Sequence, residues 1–123
     1  MSNAEVEFSI LSGSGAPVRT FKQGEIIFRE GDPATELYVI KSGRVDISTG
    51  NRLLATLDDN GIFGEMALID KTPRSATVTA ATDVELVPVN EKQFLFLVSQ
   101  TPFFALKVMR VLAGRLRAAN KAI

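Results

Sequence analysis

Two side chains in one short stretch, Glu65 and Arg74, have the types and spacing to do chemistry on a small molecule. They lie in Gly61-Ile62-Phe63-Gly64-Glu65-Met66-Ala67-Leu68-Ile69-Asp70-Lys71-Thr72-Pro73-Arg74. Residues 65–69 have helix-favouring composition and follow a glycine, and Thr72-Pro73 ends any helix. One helical turn set into a β domain leaves backbone N–H groups free at its start, and these suit an anion. Arg74, just past the turn at a strand entry, can bring its guanidinium back to the same point. The planar guanidinium fork suits phosphate because it makes two parallel charge-assisted hydrogen bonds. Glu65 repels phosphate but accepts hydrogen bonds from a neutral hydroxyl. Together they ask for a ligand with one anionic group and adjacent hydroxyl donors, such as a sugar phosphate. Each residue also has a plainer use. Glu65 in a first helical turn is favoured by the helix dipole, Arg74 could bridge to Glu65 or Asp70, and Gly61 and Gly64 could serve turns alone.

The elements that must hold these residues have two textures. Residues 18–89 read as short β-branched runs separated by turn residues about every eight to twelve positions, the pattern of a β-sandwich or barrel. Turns are predicted at Gly24, Gly31-Asp32-Pro33, Ser42-Gly43, Gly50-Asn51, Asp59-Asn60-Gly61 and Thr82-Asp83. Val45 and Ile47 flank Asp46, and Leu53, Ala55 and Leu57 alternate with Leu54 and Thr56, so each set is expected to face the core. Residues 37–40 are continuously apolar, as in a strand buried on both faces. Ala76, Val78 and Ala80 alternate with Ser75, Thr77 and Thr79 on a further strand.

After Val89 the period becomes helical. Asn90 with Gln93 predicts a capping box opening a short helix through Phe94, Leu95 and Leu97. Thr101-Pro102 predicts an N-cap followed by a first-turn proline, and a helix over 102–121. In it Ala105, Met109, Leu112, Leu116, Ala119 and Ile123 form a short heptad seam, read as core or as dimer interface. Phe103, Phe104, Val108 and Val111 are expected to meet the barrel. Gly114 interrupts the helix interior at a cost of about 1 kcal/mol, through close approach of another backbone or simple tolerance.

Composition excludes whole classes of chemistry. The 123 residues contain no histidine and no cysteine. That removes Ser-His-Asp and Cys-His mechanisms and the usual zinc, iron-sulfur and blue-copper sites, so no metal is expected. Glu65 and Asp70 have no second base or nucleophile at a spacing that supports catalysis, so the chain is not expected to be an enzyme. The 14 basic and 14 acidic residues cancel, but the last 19 positions carry five cations (Lys107, Arg110, Arg115, Arg117 and Lys121) and no acid. Most of these lie off the seam and read as a wet helical face instead of a nucleic-acid patch. No disulfide framework, signal peptide or membrane-length apolar run is present, so a soluble cytoplasmic protein is expected. Residues 1–16 are set apart as an N-terminal segment, with Ser2, Asn3 and Ala4 resembling a tag remnant; residues 17–123 form the domain.

The stretch Phe63-Gly64-Glu65-Met66-Ala67-Leu68, followed by Pro73-Arg74-Ser75-Ala76-Thr77-Val78, resembles the phosphate-binding cassette of cyclic nucleotide-binding domains. Residues 21–32 (Phe21-Lys22-Gln23-Gly24-Glu25-Ile26-Ile27-Phe28-Arg29-Glu30-Gly31-Asp32) and 37–45 resemble that family's early strands with their turn glycines. The similarity runs from about residue 18 to about residue 120. It implies an eight-stranded jelly-roll β-barrel with flanking helices, the last acting as lid or dimer element. It implies further that Glu65 holds a ribose 2′-hydroxyl and Arg74 the exocyclic oxygens of a cyclic phosphate. Backbone N–H groups around Gly64 to Ala67 and at Ser75 or Ala76 would complete the cradle, with the Ser75 hydroxyl as an extra donor and Phe63 also counted among the ligand-binding residues.

The implied ligand is cyclic AMP or cyclic GMP, with cyclic AMP modestly favoured. In relatives such as the bacterial catabolite activator a polar residue late in the final helix reaches the base. Here that position falls on Ala119, and the amide of Asn120 is the available substitute. No DNA-binding segment follows Ile123, so either an effector lies in a longer parent protein or the domain is a stand-alone sensor. As it stands, neither nucleic acid nor membrane is expected as a partner. The alternative is an interaction or dimerisation module of the same fold with a vestigial pocket.

Overall fold

The computed structural model describes the backbone of residues 17–121 and the side chains through residue 117; the expectations for residues 1–16 lie outside the described residues. The strands are β1 (Arg19–Phe21), β2 (Ile26–Phe28), β3 (Glu36–Ser42), β4 (Val45–Thr49), β5 (Arg52–Leu57), β6 (Ile62–Phe63), β7 (Thr77–Ala80) and β8 (Val84–Asn90). The helices are α1 (Met66–Ile69), between β6 and β7, then α2 (Glu91–Gln100) and α3 (Pro102–Lys121). The strands form two four-stranded antiparallel sheets, ordered β1-β8-β3-β6 and β2-β7-β4-β5, the double-sheet jelly roll that the family resemblance implies.

Strand alternation explains how one chain builds two cores. From β3, Leu37 and Val39 point to a cluster with Ile62, Val87, Val89, Leu97, Phe104 and Val108, between the first sheet and the helices. Tyr38 and Ile40 point the other way, joining Val45, Phe63, Val78, Ala80, Val84 and Leu86 between the two sheets. The first sheet is thus covered on both faces, which is why residues 37–40 are apolar without interruption. Each such buried side chain contributes about 1.5–3 kcal/mol relative to exposure. The capping box forms as predicted: Gln93 N–H donates to Asn90 Oδ1 and Asn90 N–H to Gln93 Oε1, both at 2.9 Å.

Two expectations are corrected. Leu53 and Ala55, assigned to a core face, lie on an exposed edge strand, with Leu53 60% and Leu54 51% accessible. Alternation distinguishes two faces, but the helices cover the other sheet. The heptad seam of α3, read as core or dimer interface, divides: Leu112 packs beside Phe104 and Val108 against the barrel, while Met109 and Leu116 point outward, as a dimer interface requires. Phe103, expected against the barrel, is exposed beneath the Arg110 guanidinium, 5.3 Å from the ring centroid. Two apolar rows interleave on this helix, and contact with β8 and α2 selects only one. Gly114 is simple tolerance, since a Cβ there meets nothing within 4 Å.

Candidate functional site

β6 delivers the chain to the site. Its two residues pair with the centre of β3, Tyr38 opposite Phe63 and Val39 opposite Ile62. Phe63 is 1% exposed and stacks on Tyr38 with ring centroids 5.4 Å apart, so this predicted site residue is part of the inter-sheet core. The chain then turns sharply at Gly64, where φ is +78°. A Cβ at Gly64 would stand 2.7 Å from Arg74 Nη1, so glycine is required both by the backbone angle and by the guanidinium. Gly64→Ala is expected to cost about 1–3 kcal/mol of stability and to displace Arg74. Thermal unfolding together with ligand titration checks both parts.

Glu65 and Arg74 are the buried charged side chains among the described residues, 1% and 8% exposed. They are buried in different ways. Glu65 occupies the N-cap position of α1 but makes no side-chain capping bond. Its carboxylate instead pairs with Arg115 of α3, whose Nη1 contacts Glu65 Oε1 while Nη2 donates to the Ile62 carbonyl at 2.9 Å. The Arg115 side chain is 41% exposed, and partial burial lowers its pKa from the usual arginine range without removing its charge. The bridge ties α3 to the cassette across 50 residues of sequence.

Arg74 has no such partner. Its backbone is pinned on both sides by the Gly31-Asp32 turn: Arg74 N–H donates to the Asp32 carbonyl at 2.9 Å, and Gly31 N–H donates to the Arg74 carbonyl at 2.8 Å. Its Nη1 donates to the Gly64 carbonyl at 3.3 Å. The guanidinium carbon lies 4.0 Å from the Phe28 ring centroid and 5.7 Å from that of Tyr38. Nε is buried with no hydrogen-bond partner. Burial lowers the Arg74 pKa, partly offset by the Tyr38 hydroxyl and the carboxylates of Glu36 and Asp32. No ion pair joins it to Glu65 or Asp70, so the plain structural bridge considered for Arg74 is not what holds it. A buried guanidinium whose Nε–H points at no acceptor fits an anion, and an arginine-bound phosphate is the group that its fork recognises best.

The remaining predicted residues fall around this pair. Ala67 and Ala76 are buried at 6% and 9%, Met66 is 37% exposed, and Ser75 is exposed. Ala67 N–H, expected in the phosphate cradle, already donates to the Gly64 carbonyl at 3.2 Å, closing the turn. The side chain of Asn120 lies outside the described residues. Arg115 is the residue that sequence reasoning placed only among the cations of the C-terminal segment. The signal was present: Arg115 continues the Phe104, Val108, Leu112 row by one further helical step, and a cation closing an apolar row faces whatever that row covers.

Comparison with known proteins places the chain in a family. The family model described as "Cyclic nucleotide-binding domain" matches residues 18–101. The "Cyclic AMP receptor protein" of Thermus thermophilus is 36% identical over 107 residues, covering 83% of this chain and 50% of that protein. This chain therefore spans half the length of that relative. The crystal structure of the Thermus thermophilus catabolite activator protein superposes with a TM-score of 0.80 at 34% identity, covering 98% of this chain and 57% of that one. The EAL enzyme Bd1971 is similar in its cyclic GMP-bound form, with 40% identity, a TM-score of 0.64, and coverage of 86% of this chain and 30% of that one. The family model covers residues 18–101, well over half of the 123-residue chain, and on that ground the chain belongs to the cyclic nucleotide-binding domain family.

Proposed function

We propose that this chain is a regulatory domain that binds a cyclic nucleotide, cyclic AMP in preference to cyclic GMP, and that occupancy sets the position of α3. The observation that carries this reading is Arg74, a buried cation with an unpartnered Nε–H, one turn of chain from the buried carboxylate of Glu65. A cyclic phosphate supplies the missing acceptor. A ribose 2′-hydroxyl supplies a donor to Glu65, assisted at the phosphate by backbone N–H groups from Gly64 to Met66, by the Ser75 hydroxyl and by the Ala76 amide. Asn120 is the residue for the base. The preference for cyclic AMP is supported by relatives named for that ligand, while Bd1971 has been solved with either nucleotide.

The coupling follows from Arg115. Any hydroxyl that hydrogen-bonds to Glu65 competes with, or joins, the Glu65 to Arg115 ion pair that fastens α3 to the α1 turn. A ligand shifts a helix only through contacts that differ between its two positions, and this contact belongs to both the ligand and the helix. A role inside the cell, where such a ligand is made, and a non-catalytic role as the sensing part of a longer protein complete the proposal.

Calorimetric titration with each nucleotide tests it. One saturable site is expected, tighter for cyclic AMP; absence of heat with both nucleotides overturns the reading. A second reading, homodimerisation through α3, is favoured by Met109 and Leu116, which are 58% and 63% exposed on one side of the helix. Sedimentation showing a monomer at every concentration, with and without nucleotide, contradicts it.

A further inference from the structure

Arg74 is fixed in place without being neutralised, and the residue responsible is Phe28. Two carboxylates lie near enough to influence Arg74, those of Glu36 and Asp32, yet both are committed elsewhere. Glu36 Oε1 accepts from Arg19 Nη1 at 2.6 Å and from the Tyr38 hydroxyl at 2.9 Å. Asp32 Oδ2 accepts from the Arg29 amide at 2.9 Å. What Arg74 receives instead is an aromatic face. The Phe28 centroid lies 4.0 Å from the guanidinium carbon, well within the range of about 6 Å over which a ring quadrupole attracts a cation.

The ring is itself held. It packs against Tyr38 and Phe63 with centroids 6.1 and 5.8 Å away. β2 carries a register shift against β7 between Ile26 and Phe28, the kind of irregularity that re-aims a side chain next to a binding site.

We propose that Phe28 is a positioning residue for anion recognition: its ring face seats the Arg74 guanidinium in the burial that binding needs while leaving the Nε–H unspent. An ion pair in the same place would fix the side chain equally well but would compete with the ligand phosphate. A ring face attracts the cation and occupies none of the in-plane N–H donors, so the orphaned Nε–H and the seat are two consequences of one choice of partner. The inference rests on the cyclic nucleotide reading above and specifies how its key residue is held.

The test changes the ring's electrostatics without changing its shape. Site-specific replacement of Phe28 by mono-, di- and trifluorophenylalanine withdraws charge from the ring face stepwise, and affinity for cyclic AMP and cyclic GMP is measured for each. Affinity is expected to fall with every added fluorine, to about tenfold overall, and the unfolding midpoint of the free protein to fall modestly alongside it as the same ring contact weakens. Phe28→Tyr should bind within a few-fold of wild type, and Phe28→Leu should show the full loss. Affinity that is flat across the fluorinated series, in a wild type that does bind, overturns the seat alone. A wild type that binds neither nucleotide overturns the cyclic nucleotide reading itself, and the two failures are therefore distinct.

Discussion

Replacing Arg74 with methionine is expected to lower cyclic nucleotide affinity by about 100- to 1,000-fold while leaving the free domain as stable as wild type, or more so. The affinity loss follows from the two or more charge-assisted hydrogen bonds that a guanidinium gives a phosphate, each contributing about 1.5–3 kcal/mol. The stability effect has the opposite sign to that of most buried substitutions. Arg74 is 8% exposed, forms no ion pair, and has a buried N–H without an acceptor. Burying an uncompensated polar group costs free energy, and the ring contact with Phe28 returns only about 2 kcal/mol of it. Methionine keeps much of the stem and removes the charge. Denaturant unfolding and calorimetric titration of the same preparation check both signs; an Arg74→Met protein that unfolds much more easily than wild type would mean that Arg74 is structural.

Arg115→Met is expected to destabilise the domain, although Arg115 is far more exposed than Arg74. Its loss strands the Glu65 carboxylate, which is 1% exposed. Removing one partner of a buried pair costs about 3–5 kcal/mol, and because water reaches the 41%-exposed Arg115 side chain the expected loss is nearer 2–3 kcal/mol. Replacing both members should restore much of it, so Glu65→Gln with Arg115→Met should unfold at higher denaturant than Arg115→Met alone. The same single variant separates binding from signalling. A label on α3 that moves when nucleotide binds the wild type should respond little in Arg115→Met, because the contact shared by helix and ligand is gone. An unchanged unfolding midpoint, or an unchanged α3 response, would remove the Glu65 to Arg115 bridge from the mechanism.

The contrast between these two arginines marks where sequence reading succeeds and where it stops. The β-sandwich texture, the capping box at Asn90 and the helix beginning at Pro102 are local patterns of turns, caps and periods, and they stand in the structure as read, while the jelly-roll topology comes from the family resemblance. Glu65 and Arg74 are also legible, because a glycine turn, a single helical turn and a proline stop place them in one short stretch. What cannot be read locally is who partners whom. Arg115 reaches Glu65 across the chain. Phe28 reaches Arg74 from β2, far off in sequence although paired with the β7 strand that Arg74 leads into, and nothing in its own neighbourhood of residues sets it apart from other strand phenylalanines. The burial expected of Leu53 on β5 and of Phe103 on α3 fails for a related reason. Both carry the periodicity of buried residues, but burial depends on which element covers them, and in each case another row is covered instead.

The central claim is that the buried Arg74 guanidinium awaits a phosphate, and its Nε–H resonance reports this most directly. In nitrogen-15 spectra the Arg74 Nε–H can be assigned by its disappearance in Arg74→Met, then followed while cyclic AMP or cyclic GMP is added. It is expected to shift strongly downfield in a saturable titration, as a hydrogen bond forms to a previously unpartnered donor. An Nε–H resonance that stays in place at saturating nucleotide would contradict the account.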